Sequence, residues 1–288
     1  MSSFKQRVTV NSIARYKSEN KKITALTAYE YNTAKILDES GIDIILVGDS
    51  LAMVALGYEN TLSVTVDEML HYTKIVSRAA KRTLVVADMP FMSYQTDEVS
   101  ALKNAARFIK EGNANAVKIE GGYPQIVNTV KKITEAGIPV LGHLGFTPQF
   151  IQTIGGYSVQ GKNYDNTQII LEQAVNLQNS GAFAVVLEMV PEESAKYITD
   201  NLSIPTIGIG AGRHCSGQIL VTDDILGKYE DFTPKFARKY ADIASITKNA
   251  VADYIRDVNS LKFPSGQEIF KLDEGESNKL KNISFINK

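Results

Sequence analysis

The sequence predicts an α/β protein in which eight strands alternate with helices around one barrel. Three observations lead to this fold class. Eight short apolar runs occur along the chain, amphipathic segments separate most of them, and similar phrases such as "ESGIDIILV", "EAGIPVLG" and "NSGAFAVVL" lead from helix to strand. Strands that are apolar at nearly every position are typical of a parallel sheet covered by helices. Eight such units in 288 residues predict a (β/α)8 TIM barrel.

The predicted strands follow one another at spacings that leave room for a helix between most of them. In order they are "KITALTAY" (22–29), "IDIILVGDS" (42–50), "TLVVADMP" (83–90), "NAVKIEGG" (115–122), "IPVLGHLG" (138–145), "FAVVLEMV" (183–190), "IPTIGIGAG" (204–212) and "GQILVTDDIL" (217–226). The phrase "RHCS" between the last two is too short for a helix. An open doubly wound sheet is the alternative, but it would require a phosphate-binding glycine turn after the first strand, which the sequence lacks.

The two ends of the chain add elements to the barrel. Residues 3–20 predict a helix that caps the bottom of the barrel. Residues 234–261 predict a long C-terminal helix, which either completes the barrel or reaches a neighbouring subunit. We expect residues 1–270 to form one barrel domain and the polar residues 271–288 to form a mobile extension.

Composition limits the possible partners. The chain carries 31 basic and 32 acidic residues, with no block of like charge, so nucleic acid and membrane surfaces are not expected as partners and a small molecule is. The single cysteine, Cys215, excludes an intramolecular disulfide and fits a reducing compartment. The sequence has no apolar stretch like that of a signal peptide, and no run approaches the roughly 20 apolar residues of a membrane span. We therefore expect a cytoplasmic protein.

Four predicted strands end in an acidic residue. In a (β/α)8 barrel the C-terminal ends of the strands form the active site. One such acid could be a helix cap or a surface ion pair, but four in one mouth would repel one another unless a cation lay among them. Oxygen ligands without a Cys or His cluster favour magnesium over zinc. The four acids are Asp49, Asp88, Glu120 and Glu188.

The fourth strand places two charged side chains on one face. Side chains alternate along a strand, so Lys118 and Glu120 share a face, which points inward if Val117 and Ile119 pack on the helices. Lys118 would then bind a substrate carboxylate or form a Schiff base. The structural alternatives are that it extends to solvent or pairs only with Glu120.

The same alternation is expected to place two other acids in the mouth. We expect Asp49 to point inward with Val47 behind it on the same face. We expect the same of Asp88, with Val86 behind it.

The three histidines differ in their expected roles. His143 closes the fifth strand in "LGHLGFTPQ" and is predicted to make a hydrogen bond in the site, whereas His71 lies within an amphipathic helix and is predicted to be structural. His214 lies beside Cys215 and could suggest a nucleophile and its base, but no third orienting group is near in the sequence. The run "GIGAG" at 208–212 predicts either a close approach of backbone or an anion-binding turn.

Several longer phrases match a known family. They are "TAY" (27–29), "LVGDSLAMVALGYENTLSVTVDEMLHYT" (46–73), "ADMPFMSY" (87–94), "NAVKIEGG" (115–122), "GHLGFTPQ" (142–149), "GGYSVQGK" (155–162), "LEMVP" (187–191) and "IPTIGIGAGRHCSGQILVTDDILG" (204–227). On these phrases, which run from about residue 22 to residue 240 in the family's order, the chain resembles the ketopantoate hydroxymethyltransferase family. Such a set is far more specific than a group of strand-end acids.

The resemblance implies a magnesium-dependent barrel that transfers a hydroxymethyl group from 5,10-methylenetetrahydrofolate to 3-methyl-2-oxobutanoate, giving 2-dehydropantoate for pantothenate and coenzyme A synthesis. It also implies a homo-oligomer, a decamer with about five barrels in each ring. Carried onto this sequence, the metal ligands are Asp49, Asp88 and Glu120, and the base is Glu188. The residues that bind the oxo acid are Asp49, Ser50, Asp88, Lys118 and His143.

The chain differs from the family pattern at one position, and three alternative functions remain open. Position 30 is Glu where the family commonly has Asp, which keeps the charge. The rivals are a magnesium-dependent lyase of the phosphoenolpyruvate mutase and isocitrate lyase type, a Schiff-base aldolase that uses Lys118, and an inactive barrel that serves as a scaffold or binds a ligand. Those lyases usually carry a catalytic Cys in a mobile loop. An inactive barrel would have lost some of the six family positions, which are all present here: Asp49, Ser50, Asp88, Lys118, Glu120 and Glu188.

Overall fold

A computed structural model of the chain describes residues 6–230 and 234–281. Its eight strands pair in parallel in sequence order, and the last pairs with the first, so the sheet closes into a barrel. The strands are β1 Ile23–Thr27, β2 Ile44–Val47, β3 Leu84–Asp88, β4 Ala116–Glu120, β5 Val140–Gly145, β6 Ala184–Glu188, β7 Thr206–Ile209 and β8 Gly217–Leu220. Each lies within a predicted strand, so the fold class is confirmed and the open sheet is excluded.

Helices surround the barrel and connect its strands. They are α1 Val10–Ser18, α2 Tyr31–Ser40, α3 Leu51–Val54, α4 Val66–Ala79, α5 Glu98–Lys110, α6 Pro124–Glu135, α7 Ile151–Ile154, α8 Tyr164–Asn179, α9 Glu192–Asp200, α10 Thr222–Leu226, α11 Ile243–Asn259 and α12 Glu274–Lys281. Short 3-10 turns lie at Thr61–Ser63 and Pro148–Phe150. Residues 210–216, all of them described, form no helix between β7 and β8, as expected. Across the described ranges, each helix is too short or too polar to cross a bilayer.

The repeated phrases between helix and strand end their helices in the same way. Helix α2 ends at Gly41 and the loop after α8 turns at Gly181, each with a φ of 91°. This left-handed backbone is strained for most side chains but not for glycine. In the loop after α5 the left-handed residue is Asn113, with a φ of 55°. The sequence repeat therefore reflects a repeated turn from helix to strand.

The barrel interior is apolar below the mouth and is closed at the bottom by the N-terminal segment. Inward residues such as Leu46 and Val86 form one buried cluster, which includes Val8 and the fully buried Ile13 of α1. The backbone N–H of Val8 donates to the carbonyl of Arg82 at 2.8 Å. The predicted bottom cap is confirmed, but its helix spans Val10–Ser18 rather than residues 3–20. Residues 6–9 are not helical, and residues 3–5 lie outside the described residues.

The strands of the barrel also pack outward against the helices. Val117 and Ile119 belong to this outer cluster, as predicted, and so does Val47. The expectation that Val47 lies behind Asp49 on the inward face is therefore wrong. Strand β2 ends at Val47, and the turn after it breaks the alternation of side chains, so Asp49 reaches the mouth from the loop. Val86 does face inward below Asp88, as predicted.

The chain divides into two compact units, one up to Tyr240 and one from Ala241 onward. Helix α11 of the second unit is the predicted long C-terminal helix, but its start at residue 234 was wrong. Residues 234–242 form turns and irregular structure, and the Asp242 side chain caps the helix by accepting from the Ser245 N–H at 3.4 Å. A domain boundary at residue 270 and a mobile extension over 271–288 remain predictions; residues 282–288 lie outside the described part.

We predict that Ile13→Ala lowers the free energy of unfolding by about 2–5 kcal/mol, because the fully buried side chain would leave a cavity at the barrel bottom. Urea unfolding followed by circular dichroism measures the change. The control is Ile36→Ala on α2, whose side chain is 61% exposed and which should change stability by less than about 0.5 kcal/mol. Equal effects at the two positions would contradict the role assigned to Ile13.

Candidate active site

One cavity of about 560 Å³ opens among the C-terminal ends of the strands. All of the site residues predicted from the sequence line it. They are Asp49, Ser50, Asp88, Lys118, Glu120, His143 and Glu188. The barrel thus brings together side chains that are up to 139 positions apart, from Asp49 to Glu188, as the strand-end rule predicts.

The register of neighbouring strands decides which charged groups meet. Asp88 on β3 is the direct partner of Lys118 on β4, and Glu120 on β4 is the direct partner of His143 on β5. Partner residues of adjacent strands point to the same face of a sheet. Strand pairing alone therefore puts Asp88 beside the Lys118 amine and Glu120 beside the His143 imidazole.

Lys118 is held as an ammonium ion by two carboxylates. Its Nζ lies 2.8 and 2.7 Å from the two Asp88 oxygens and 3.3 Å from Glu120 Oε1. Burial of Lys118 opposes its charge, but the negative charges of Asp88 and Glu120 outweigh burial and raise its pKa. The side chain is only 5% exposed, so Lys118 does not extend to solvent.

Glu120 and His143 form a second buried pair. His143 Nδ1 lies 3.0 Å from Glu120 Oε1, and Glu120 Oε2 accepts from the backbone N–H of Gln149 at 3.0 Å. Burial opposes the charge of Glu120, but His143 and Lys118 outweigh it and lower its pKa to about 2. Burial likewise opposes the charge of His143, yet Glu120 raises its pKa to about 9. The hydrogen bond predicted for His143 is therefore present.

Glu188 lies beside the same imidazole on its other side. Its Oε2 is 3.2 Å from His143 Nε2, a distance suited to an ion pair, although the angle is not that of a hydrogen bond. The Glu188 side chain is 15% exposed, whereas those of Asp88 and Glu120 are 1% and 0% exposed. Glu188 is thus more open to a bound molecule than these two acids.

Asp49 completes the group of acids from the loop after β2. Its backbone N–H donates to Asp88 Oδ2 at 3.2 Å, and its Oδ2 accepts from Gln149 Nε2 at 3.0 Å. Burial, together with the negative charges of Asp88 and Glu120, holds the pKa of Asp49 well above its usual range. The protonated form of Asp49 is favoured because the mouth holds more negative than positive charge. A bound cation would instead favour the Asp49 carboxylate.

Two neutral side chains of the site received no role from the sequence. Gln149 Nε2 also donates to the carbonyl of Met89 at 2.9 Å, and its Oε1 accepts from the Tyr94 hydroxyl at 2.8 Å. The backbone N–H of Glu120 donates to that hydroxyl at 3.1 Å. Both residues follow a barrel strand directly, in "GHLGFTPQ" and "ADMPFMSY". Their position after a strand was the sequence signal that could have indicated a role in the site. It was missed because amide and hydroxyl side chains are uncharged and do not stand out as strand-end acids do.

Ser50 has a partner that the sequence also did not indicate. The Tyr29 hydroxyl and Ser50 Oγ lie 2.8 Å apart, and Tyr29 itself is buried. Burial raises the pKa of Tyr29, so the phenol is neutral at physiological pH. Tyr29 therefore fixes the orientation of the Ser50 hydroxyl at the edge of the cavity.

The carboxylates suit a hard cation that needs few protein ligands. Among the described residues, no three His, Cys, Asp or Glu side chains converge as a ready-made metal cage. Lys118 lies between Asp88 and Glu120, and Gln149 engages one oxygen of Asp49. Zinc sites in proteins use three or four Cys, His or carboxylate ligands, whereas magnesium takes one or two carboxylates and fills its octahedron with water or substrate oxygens. The donor set therefore fits magnesium.

The remaining histidines and the cysteine lie outside this network. His71 is exposed on α4, and its ring contacts that of Tyr72. His214 Nε2 pairs with Glu192 at 3.3 Å, while Cys215 is fully buried and burial raises the pKa of its thiol. A nucleophile and base made of His214 and Cys215 is not supported, because the thiol is inaccessible and favours its neutral form.

Comparison with known proteins identifies the family of this chain. A sequence model of ketopantoate hydroxymethyltransferase matches residues 7–266. This chain belongs to the ketopantoate hydroxymethyltransferase family. The resemblance stated from the quoted phrases is thereby confirmed.

Curated relatives of the ketopantoate hydroxymethyltransferase family match over nearly their full length. The 3-methyl-2-oxobutanoate hydroxymethyltransferase of Clostridium novyi (strain NT) is 52% identical over 272 residues, which cover 94% of this chain and 98% of the relative. The enzyme of the same name from Thermoanaerobacter sp. (strain X514) is also 52% identical, covering 94% of this chain and 99% of its own.

Solved structures of other barrels share the fold. Phosphonopyruvate hydrolase, crystallised with oxalate and Mg²⁺, superposes with a TM-score of 0.58 at 12% identity and covers 94% of this chain and 97% of its own. 2,3-Dimethylmalate lyase, a member of the PEP mutase/isocitrate lyase superfamily, superposes with a TM-score of 0.55 at 16% identity. The match covers 96% of this chain and 99% of the lyase chain. At these identities the likeness shows the barrel architecture and nothing further.

We predict that Gln149→Leu lowers kcat/KM for hydroxymethyl transfer by roughly 10- to 100-fold. The substitution removes the amide that bonds to Asp49 and Tyr94 and leaves their polar atoms unsatisfied. Steady-state kinetics measures the loss. Gln152→Leu is the matched control, because Gln152 is exposed and only three positions away. Full activity in Gln149→Leu would show that this amide does not support the site.

Proposed function

We propose that this chain transfers a hydroxymethyl group from 5,10-methylenetetrahydrofolate to 3-methyl-2-oxobutanoate and forms 2-dehydropantoate. The observation that carries the proposal is the convergence of the six family positions, Asp49, Ser50, Asp88, Lys118, Glu120 and Glu188, on one cavity. The relatives that share about half of the sequence bear the name of this activity. In the reaction, water adds to the one-carbon unit, whose bonds to N5 and N10 of the folate break, so that tetrahydrofolate leaves with a proton on each nitrogen. C3 of the oxo acid loses its proton and bonds to the same carbon, and the oxygen from water takes up that proton as the new hydroxyl.

Glu188 is the proposed base. It lines the cavity, is the more open of the strand-end acids on β4 and β6, and lies beside the charged face of His143. A carboxylate within reach of the substrate can remove the C3 proton as a general base. His143, held by Glu120, would keep Glu188 in place and stabilise its negative charge.

Lys118 is proposed to bind the substrate carboxylate rather than to react with the keto group. A Schiff base requires a free, neutral amine. Here Nζ contacts both oxygens of Asp88 and one oxygen of Glu120 as an ammonium. Lys118 also lines the cavity, so its charge is available to an anionic ligand.

Magnesium is the proposed metal, with Asp49, Asp88 and Glu120 as the ligands that the family resemblance implies. One or two of these carboxylates would bind the cation directly and the rest through water or substrate oxygens. Bound there, the cation would act as a Lewis acid toward the keto group of the substrate. The chain's own contribution is to keep these carboxylates buried and near one another, with Gln149 bonded to both Asp49 and Glu120. Burial from water strengthens each of these electrostatic interactions.

The rival functions have less support. The chain's single cysteine is buried, so no described loop offers the catalytic Cys of the lyases named above. An inactive scaffold is disfavoured because the six positions are intact and converge. A cytoplasmic homo-oligomer, with a decamer of two rings as the specific form, remains our proposal from the family resemblance, as does the absence of nucleic-acid and membrane partners.

We predict that the protein with magnesium exchanges the C3 hydrogen of 3-methyl-2-oxobutanoate with deuterium from solvent, and that Glu188→Gln slows this exchange by at least roughly 100-fold. Proton NMR of the substrate in D₂O follows the exchange. The control is Glu193→Gln, because Glu193 is exposed on α9. If wild type exchanges no faster than Glu188→Gln, both the base and the substrate assigned here are wrong.

Metal removal separates the proposed mechanism from a Schiff-base aldolase. We expect EDTA to abolish activity, added magnesium to restore it, and borohydride to trap no substrate adduct on Lys118, because this lysine is engaged as an ammonium ion. Activity assays and mass spectrometry of borohydride-treated protein provide the measurements. Activity that survives EDTA, together with a trapped adduct on Lys118, would support the aldolase.

A further inference from the structure

The acids are only part of the cavity lining. The other lining side chains are mainly apolar and aromatic, among them Ile209, Val221, Tyr229 and Phe236. A cavity of about 560 Å³ is in the range of roughly 300–1,000 Å³ that holds drug-sized ligands. A small branched oxo acid on the catalytic groups would leave most of this space unfilled.

One acid in this lining has no side-chain partner among the residues that the structure describes. Asp224, in the short helix α10, is only 7% exposed and lines the cavity. Its carboxylate makes no hydrogen bond or ion pair with any other residue that the structure describes. Its neighbour Asp223 pairs with Lys228 at 3.4 Å. A buried carboxylate without a partner is costly, which points to a donor that is supplied by a ligand.

The electrostatic setting keeps this acid available to a donor. Burial and the negative charge of Asp223 raise the pKa of Asp224 to about 6, against a small opposing effect of Lys239. Asp224 is therefore mainly ionised at neutral pH. Two N–H groups on one edge of a planar ring would match its two oxygens, as paired donors match carboxylates elsewhere.

One aromatic part of the cavity wall depends on the glycine-rich run at 208–212. A Cβ atom at Gly210 would come within 2.7 Å of the Phe236 ring, so only glycine allows this ring to lie against the backbone there. The close approach predicted for the run is thus present. It places a flat apolar surface in the cavity that also holds Asp224, and such surfaces favour stacking of heteroaromatic rings.

We propose that Asp224 binds the amino-pyrimidinone edge of a pterin head group, with Phe236 beside the ring, and so forms the subsite for the folate co-substrate. The inference rests on the proposed function, which requires a reduced folate. The N3–H and 2-amino groups of the pterin donate to the two carboxylate oxygens. The one-carbon unit of the folate then lies in the same cavity as Glu188.

The test compares Asp224→Asn with Asp223→Asn, which changes the neighbouring acid in the same way. We expect Asp224→Asn to raise both the KM for 5,10-methylenetetrahydrofolate and the Kd for tetrahydrofolate by roughly 10- to 100-fold, because one charged pair of hydrogen bonds is lost. The KM for 3-methyl-2-oxobutanoate and its C3 exchange should stay within about twofold of wild type, as should every parameter of Asp223→Asn.

A ligand change provides the same test without a variant. Calorimetry should show that removal of the 2-amino group, in 2-desamino-tetrahydrofolate, weakens binding to wild type roughly as much as Asp224→Asn does, and that the two losses do not add. Equal binding of both ligands by wild type, unchanged folate binding in Asp224→Asn, or an equal loss for both substrates would overturn the subsite. Absence of C3 exchange in wild type would instead overturn the proposed function.

Discussion

The site depends on a layer of buried charge that the barrel register assembles. Asp88 beside Lys118 and Glu120 beside His143 are direct partners across adjacent strands, and alternation along β4 puts Lys118 and Glu120 on one face. Charges removed from water are tolerated only when each has a partner. A shift of one residue in either register would leave charges unpaired in the interior, so the chemistry and the fold constrain the same strands.

Neutral groups complete what the charges begin. The amide of Gln149 contacts Asp49, Met89 and the Tyr94 hydroxyl, while its backbone N–H contacts Glu120. These bonds join loops that follow three different strands, so the carboxylates are positioned before any ligand arrives. A polar network without water is stiff when every member has a partner, and preorganised groups of this kind stabilise charge without reorganising during the reaction.

The polar layer at the mouth is distinct from the apolar cluster inside the barrel, which contributes to stability. Below the mouth the interior is apolar, and the N-terminal segment closes it with Val8 and Ile13. The rest of the cavity lining is mainly apolar, and Asp224 is a buried acid within it. One cavity therefore offers both a group of charged side chains and an apolar surface, because strand ends and loops line it together.

The eight strands, the bottom cap and the strand-end acids were predictable from the sequence. Alternation and strand order are local properties, and in a closed parallel barrel they fix which side chains reach the mouth. Alternation placed Asp88, Lys118 and Glu120 correctly, but it failed for Asp49, since β2 ends at Val47 and a turn carries the chain into the mouth. Long-range packing set the contacts of Gln149, Tyr94 and Tyr29, the late start of α11, and the burial of Asp224 with no side-chain partner in the described part of the chain. These features depend on loops whose direction is set by long-range packing, which no pattern along the chain records.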